Sequence, residues 1–212
     1  MSKEHIPDSE LNTDPFLTYI GKILDYYKSN KLTVQWIATG IIAVFIVLVI
    51  INQYQTTRKR NAQRAYDNAM TLVAINEFIN TYKGNVHYPQ ALYKKGNMLF
   101  RDGDFKGAAE AYSEVVKKYP KNGIAQMSML CLANSYRAMK DYTSAQKYYN
   151  ELLKKKNSPI ESECKLELAR CYVNMGDYQA ADELVEKFIV DEPNSFLVTE
   201  AKKLSATIQN NM

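Results

Sequence analysis

Residues 92–120 read LYKKGNMLFRDGDFKGAAEAYSEVVKKYP. Leu92 and Leu99, with Gly96 between them, mark one face of a first helix. Ala108, Tyr112 and Val115, spaced four and three apart, mark the face of a second. Gly103-Asp104 lets the chain reverse between them, because glycine accepts the left-handed backbone that ends a helix. Pro120 stops the second helix. The stretch is a helical hairpin whose small residues, Gly96 and Ala108, let the two helices cross closely.

The hairpin recurs. A second copy runs Met129, Leu132, Ala133, Tyr136, Asp141-Tyr142, Ala145, Tyr149 and Leu152. A third runs Leu168, Ala169, Tyr172, Gly176-Asp177-Tyr178, Ala181, Val185, Phe188 and Pro193. Ala108 and Ala145 lie 37 residues apart, and Ala145 and Ala181 lie 36 apart. Lys140 stands where the other copies have Gly103 and Gly176, so the second turn is expected to be strained. Ala74 and Phe78 fall 34 residues before Ala108 and Tyr112, and read as a degenerate copy whose first helix has merged with a stalk. Phe196, Leu197, Leu204 and Ile208 are expected on one face of a last helix that covers the open end.

On these residues, 89–194 resemble tetratricopeptide repeats, whose period is about 34 residues. The extra two or three residues per copy are expected in the turns between repeats. The resemblance implies an α-solenoid of about three full units, with a degenerate first unit and a C-terminal capping helix; with the N-terminal transmembrane helix read below, the expected fold is all-α. The resemblance also implies a concave face built from the first helix of each unit.

The N-terminal third differs in kind. Leu32 to Ile51 is a twenty-residue run without charge. A bilayer core is about 30 Å thick and a helix rises about 1.5 Å per residue, so the run just spans it. Its apolar character runs all round the helix, unlike a helix with one wet side. Trp36 and Tyr54 sit near its ends, where aromatic belts lie. About thirty residues precede it and no small-x-small site follows, so it reads as an uncleaved anchor. Before it, Phe16, Leu17, Ile20, Ile23, Leu24 and Tyr27 recur at helical spacing in an amphipathic segment. Between residues 41 and 82 no Gly or Pro intervenes, so one long helix is expected from the span onward. The expected organisation is a disordered tail at 1–14, an amphipathic juxtamembrane helix at 15–31, the transmembrane helix at 32–52, a stalk with the degenerate repeat at 53–82, tetratricopeptide repeats at 83–194, and a cap with its tail at 195–212.

Composition narrows the function. The net charge is +4, and residues 61–212 hold 20 basic and 18 acidic side chains, which argues against a nucleic-acid surface. Two histidines, His5 and His87, lie far apart, so neither a metal site nor a His-based triad can be assembled. No phosphate-binding loop, nucleophile elbow or Cys-x-x-Cys is present. Glu161 and Glu163 at a helix start read as favourable placement against the helix dipole. Cys131, Cys164 and Cys171 read as small apolar packing residues. No enzyme, cofactor, metal or small-molecule substrate is expected. Binding of proteins or peptides is.

Projecting the repeat register onto the concave face places Tyr93, Lys94, Asn97 and Arg101 there from the first copy. Met127, Leu130, Asn134 and Arg137 come from the second, and Leu166, Glu167 and Arg170 from the third. Tyr, Met and Leu offer apolar contact; Asn and Arg offer hydrogen bonds to a peptide backbone or carboxylate. Repeat domains that dock chaperone tails use a clamp of Lys, Asn and Arg for two carboxylates. Only Asn97 fits it. The other clamp positions hold Tyr93, Cys131, Glu163 and Glu167, and the two Glu would repel a carboxylate.

The layout of tail, single span and repeats is similar to single-span bacterial inner-membrane repeat proteins of the ancillary Sec-translocon-subunit (YfgM-like) type. That resemblance implies a cytoplasmic N-terminus, periplasmic repeats, and contact with the secretion channel and envelope chaperones as well as membrane lipid. Lys22, Lys28 and Lys31 precede the span and Arg58, Lys59, Arg60 and Arg64 follow it. By one charge, this balance leans towards repeats on the cytoplasmic side. A periplasm-facing scaffold for protein export or envelope assembly is the expected function. The alternative is a cytoplasm-facing tethered adaptor or regulator.

Overall fold

The computed structural model describes residues 15–155 and 158–212. The expected disordered tail at 1–14 lies outside the described residues. Ten helices appear among those described: α1 (Pro15–Ser29), α2 (Lys31–Asn68), α3 (Leu72–Thr81), α4 (Tyr88–Arg101), α5 (Phe105–Lys118), α6 (Ala125–Ala138), α7 (Tyr142–Leu153), α8 (Glu161–Met175), α9 (Tyr178–Asp191) and α10 (Val198–Gln209). They fall into two compact units, residues 1–59 and 60–212.

The first unit is α1 and most of α2. Asn30 separates the helices; its side-chain amide donates to the Tyr26 carbonyl (3.2 Å), alongside its own backbone N–H (3.0 Å). No residue of α1 is buried. The apolar run of α2 is long and apolar enough to cross a membrane, and none of it is buried.

The second unit begins with the last turns of α2, where Ala62 is fully buried; Ala69, just past the helix end, is too, and both pack in one cluster with Phe78 and Leu92. The single helix expected through residue 82 ends at Asn68 instead. Thr71 explains the break. It takes an extended backbone (φ −120°, ψ 160°), and its hydroxyl accepts from the Ala74 N–H at 3.2 Å, capping α3. An N-cap residue can end one helix and start another without Gly or Pro.

From α3 onward each helix packs on its neighbour in the chain. Ala62, Gly96, Ala133 and Ala169 occupy equivalent buried positions in the first helices. Phe78, Tyr112, Tyr149 and Val185 face them from the second helices, none more than 2% exposed. A Cβ on Gly96 would come within 2.5 Å of the Tyr112 ring, so this crossing requires glycine while that ring stays put. Within each hairpin an aspartate caps the second helix: Asp104, Asp141 and Asp177 accept from the N–H groups of Gly107, Ser144 and Ala180 at 2.9 to 3.1 Å. Gly103 and Gly176 take left-handed φ values of 83° and 79°, and Lys140 takes 63°.

The inserted residues divide between turn and helix: the α7–α8 connection, 154–160, is one residue longer than the others between repeats. The connections 82–87, 119–124 and 192–197 are equally long. The three extra residues of the first repeat lengthen α5 instead, which runs to Lys118, ten residues past Ala108, where α3 runs seven past Ala74. Three residues are close to one turn, so the helix gains length without rotating its apolar face. Each of these connections holds the same small turn. Asn85, Asn122 and Ser195 accept from the backbone N–H two residues on, at 2.9, 3.1 and 3.3 Å. The residue between is left outside, and Phe196 occupies that place at 90% exposure. It therefore does not share the buried face of α10, which consists of Ala201, Leu204 and Ile208.

Candidate protein-binding groove

Helices α4, α6, α8 and α10 supply the first-helix positions, and the expected groove residues sort into three groups. Leu130 and Leu166 are only 2% and 3% exposed and belong to the cores between hairpins, so neither lines a surface. The register error is one step: on a helix packed by neighbours on both sides, the apolar stripe widens and takes in positions next to the groove.

Tyr93, Asn97 and Asn134 form a polar and aromatic end. The Tyr112 hydroxyl donates to Asn97 Oδ1 at 2.6 Å, and the Tyr149 hydroxyl to Asn134 Oδ1 at 2.5 Å. Burial pushes both phenols far above their ordinary range, so they stay protonated and keep donating. Each bond fixes one carboxamide by its oxygen, and the Asn97 amide also donates to the Tyr93 hydroxyl. Asn97, Phe100, Tyr112, Cys131 and Asn134 line a cleft of about 130 Å³. Cys131 Sγ lies 3.9 Å from the Tyr93 hydroxyl, and burial raises its thiol pKa.

Arg137, Glu167 and Arg170 form a charged end, and they are spent on one another. Arg137 Nε lies 2.8 Å from Glu167 Oε2, and Arg170 Nε 3.4 Å from Glu167 Oε1. These are charge contacts out of line for hydrogen bonding. Arg170 also donates to Glu200 of α10. The result is a ladder, Arg137–Glu167–Arg170–Glu200, across α6, α8 and α10. Burial opposes the Arg137 charge, but Glu167, Tyr149 and Cys171 together outweigh it, leaving its pKa raised. The expectation that these arginines are available for a ligand carboxylate is therefore corrected: each already has one. Glu163 carries a raised pKa, from burial first and then from Glu167 and Glu200.

The remaining residues stand apart. Lys94 turns to the preceding helices, 5.5 Å from the Tyr66 ring centre and 3.8 Å from Met70 Sδ. Met127 and Arg101 are exposed. Sequence reasoning missed Glu200, although stepping one more period of 37 from Glu163 reaches it. It missed the two tyrosine hydroxyls because Tyr112 and Tyr149 were read only as packing residues. Among the described residues no group of His, Cys, Asp and Glu could hold a metal ion.

Residues 25–201 match the tetratricopeptide repeat-like domain family. The chain belongs to that family. No curated protein matches the sequence. Among solved structures, a tetratricopeptide repeat protein from Parabacteroides merdae superposes with a TM-score of 0.58 at 18% identity, over 72% of this chain and 60% of that one. The TPR2B domain of yeast Sti1, solved as a pHsp70 complex, superposes with a TM-score of 0.51 at 16% identity, over 58% of this chain and 98% of that one. At these identities the likeness concerns the fold. Tetratricopeptide repeat domains are protein-interaction scaffolds.

Proposed function

We propose that this tetratricopeptide repeat protein is a membrane-anchored scaffold with its repeats in the periplasm, binding protein segments during export or envelope assembly. The observation that carries the reading is the exposed apolar run of α2, 0% buried, in the same helix that supplies Ala62 to the first repeat crossing. The family match begins at residue 25, ahead of that run, which supports anchor and repeats as one inherited arrangement. The groove chemistry narrows the cargo. Two fixed carboxamides and a tyrosine suit the backbone of an extended peptide with apolar or neutral side chains. Self-paired arginines and Glu163 disfavour an acidic tail, and so disfavour chaperone C-termini as ligands. The secretion channel and folded envelope chaperones remain partners through other surfaces.

Protease treatment of spheroplasts carrying a C-terminally tagged chain tests this. Loss of the tag and repeats from outside is the expected result. Full protection until lysis, with the chain still in alkaline-washed membranes, gives the alternative: a cytoplasm-facing adaptor, which the single extra basic residue after the span favours. Release into the alkaline wash would sink the anchor itself.

A further inference from the structure

Helix α1 is amphipathic. Its large side chains divide cleanly around the helix. Phe16, Ile20, Ile23, Leu24 and Tyr27 recur at i, i+4, i+7, i+8 and i+11, one continuous stripe. Tyr19 and Tyr26 border the stripe on one side, with Lys22 beyond them. Leu17 borders it on the other, with Lys28 beyond. Thr18, Asp25 and Ser29 lie opposite. This is the pattern of a helix lying in an interface: apolar residues below, aromatic rings at the boundary, lysines reaching up to the headgroups from both flanks. Ile20, Ile23, Leu24 and Tyr27 are 39%, 54%, 50% and 43% exposed, so this length of the stripe is open among the described residues.

What covers it follows from the connection. Only Asn30 separates α1 from α2, and the uncharged run opens at Leu32. If that run spans the bilayer, as the proposed function has it, the end of α1 is held at the edge of the hydrocarbon. We propose that α1 lies along the bilayer surface with its apolar stripe against the acyl chains. The occupant of the stripe is then lipid, not a second copy or a partner protein. This inference rests on the anchor reading, and the test separates the two.

The full chain, with Cys131→Ala and the fully buried Cys164 and Cys171 retained, would carry single spin labels at Thr18→Cys, Ile20→Cys, Ile23→Cys or Asp25→Cys. It would be reconstituted in vesicles of phosphatidylethanolamine and phosphatidylglycerol, and collisions with oxygen compared with those of a water-soluble nickel complex. The expected oxygen-to-nickel ratio is about tenfold higher at residues 20 and 23 than at 18 and 25. Nickel-favoured collisions at all four sites would overturn the proposal, placing α1 in water. Low collision with both reagents at 20 and 23 would also overturn it, because protein would then cover the stripe. Labels at Val44→Cys and Val47→Cys report the anchor separately: oxygen-favoured values there, with a failed pattern in α1, leave the span standing and α1 wrong. Nickel-favoured values there sink both.

Discussion

The first two repeats and the third pack the same crossing with different chemistry, and the groove changes with it. In the α4–α5 and α6–α7 hairpins, a tyrosine from the second helix fills the crossing, and its hydroxyl reaches the asparagine that follows the small residue. In α8–α9 the tyrosine becomes Val185 and the asparagine becomes Arg170, which turns to Glu167 and Glu200. The degenerate first repeat, with Phe78 and Gln63, also lacks the pair. Tyr and Asn thus occur together, and where the hydroxyl is missing the groove position takes another partner. Core packing and groove chemistry are coupled through one atom per repeat.

Converting the second repeat to the pattern of the third should have the largest effect. Tyr149→Val removes a fully buried ring against Ala133 and leaves Asn134 without its donor, for a loss of about 3–4 kcal/mol. Urea unfolding followed by circular dichroism measures it. A loss below about 1 kcal/mol would mean the crossing collapses around valine, and the coupling argued here would fall. Tyr149→Phe should keep most of the packing and cost about 1 kcal/mol, while weakening peptide binding in the groove.

The charged ladder comes next. Removing its shared acid, Glu167→Gln, strips Arg137 of its counter-charge inside the groove and should cost about 2 kcal/mol. A double-mutant cycle on Arg137 and Glu167 sharpens the point. Its coupling should exceed that of the exposed pair Lys118–Glu114, which solvent screens. Equal couplings would show that the ladder is an ordinary solvated face.

Much of this was legible in the sequence because the small-residue crossings and the Asp-capped turns are local and repeat. Gly96, Ala108 and Asp104 announce themselves by type and spacing. The break at Thr71 was not legible, since an N-cap threonine looks like any threonine until its backbone leaves the helical region. Leu130 and Leu166 were placed in the groove because a projection treats a repeat alone, whereas each hairpin is buried by the next. The ladder eluded the reading for a related reason: Arg137, Glu167 and Glu200 sit on three helices, and charge pairs across repeats leave no mark on the period.

The second repeat is exceptional in its turn as well. Lys140 holds a φ of 63° where Gly103 and Gly176 hold the same left-handed shape without a side chain. Lys140→Gly should therefore stabilise the domain by about 1 kcal/mol or slightly less, the left-handed strain released being partly offset by the flexibility of unfolded glycine. That is a rise of about 2–4 °C in the midpoint of thermal unfolding. Space around Gly176 is open, so Gly176→Lys isolates the backbone effect and should cost a similar amount. Agreement between the two would make the turns interchangeable and confine the difference between repeats to the groove.

The smallest effect tests the acidic end of that groove. Burial, then Glu167 and Glu200, raise the pKa of Glu163 above 4.5, its ordinary value. A raised acid binds its proton more tightly folded than unfolded, so its contribution to stability is full below pH 4.5 and is lost as pH rises through the folded pKa. Glu163→Gln escapes that loss. At pH 7 it should be more stable than the parent, by a margin that solvent screening at this exposed position keeps small, and the gap should close as the pH falls towards 4.5. Urea midpoints measured across that range decide it. If the variant is the weaker protein at pH 7, Glu163 has a favourable partner in the groove, and the case against acidic ligands at that end loses its electrostatic basis.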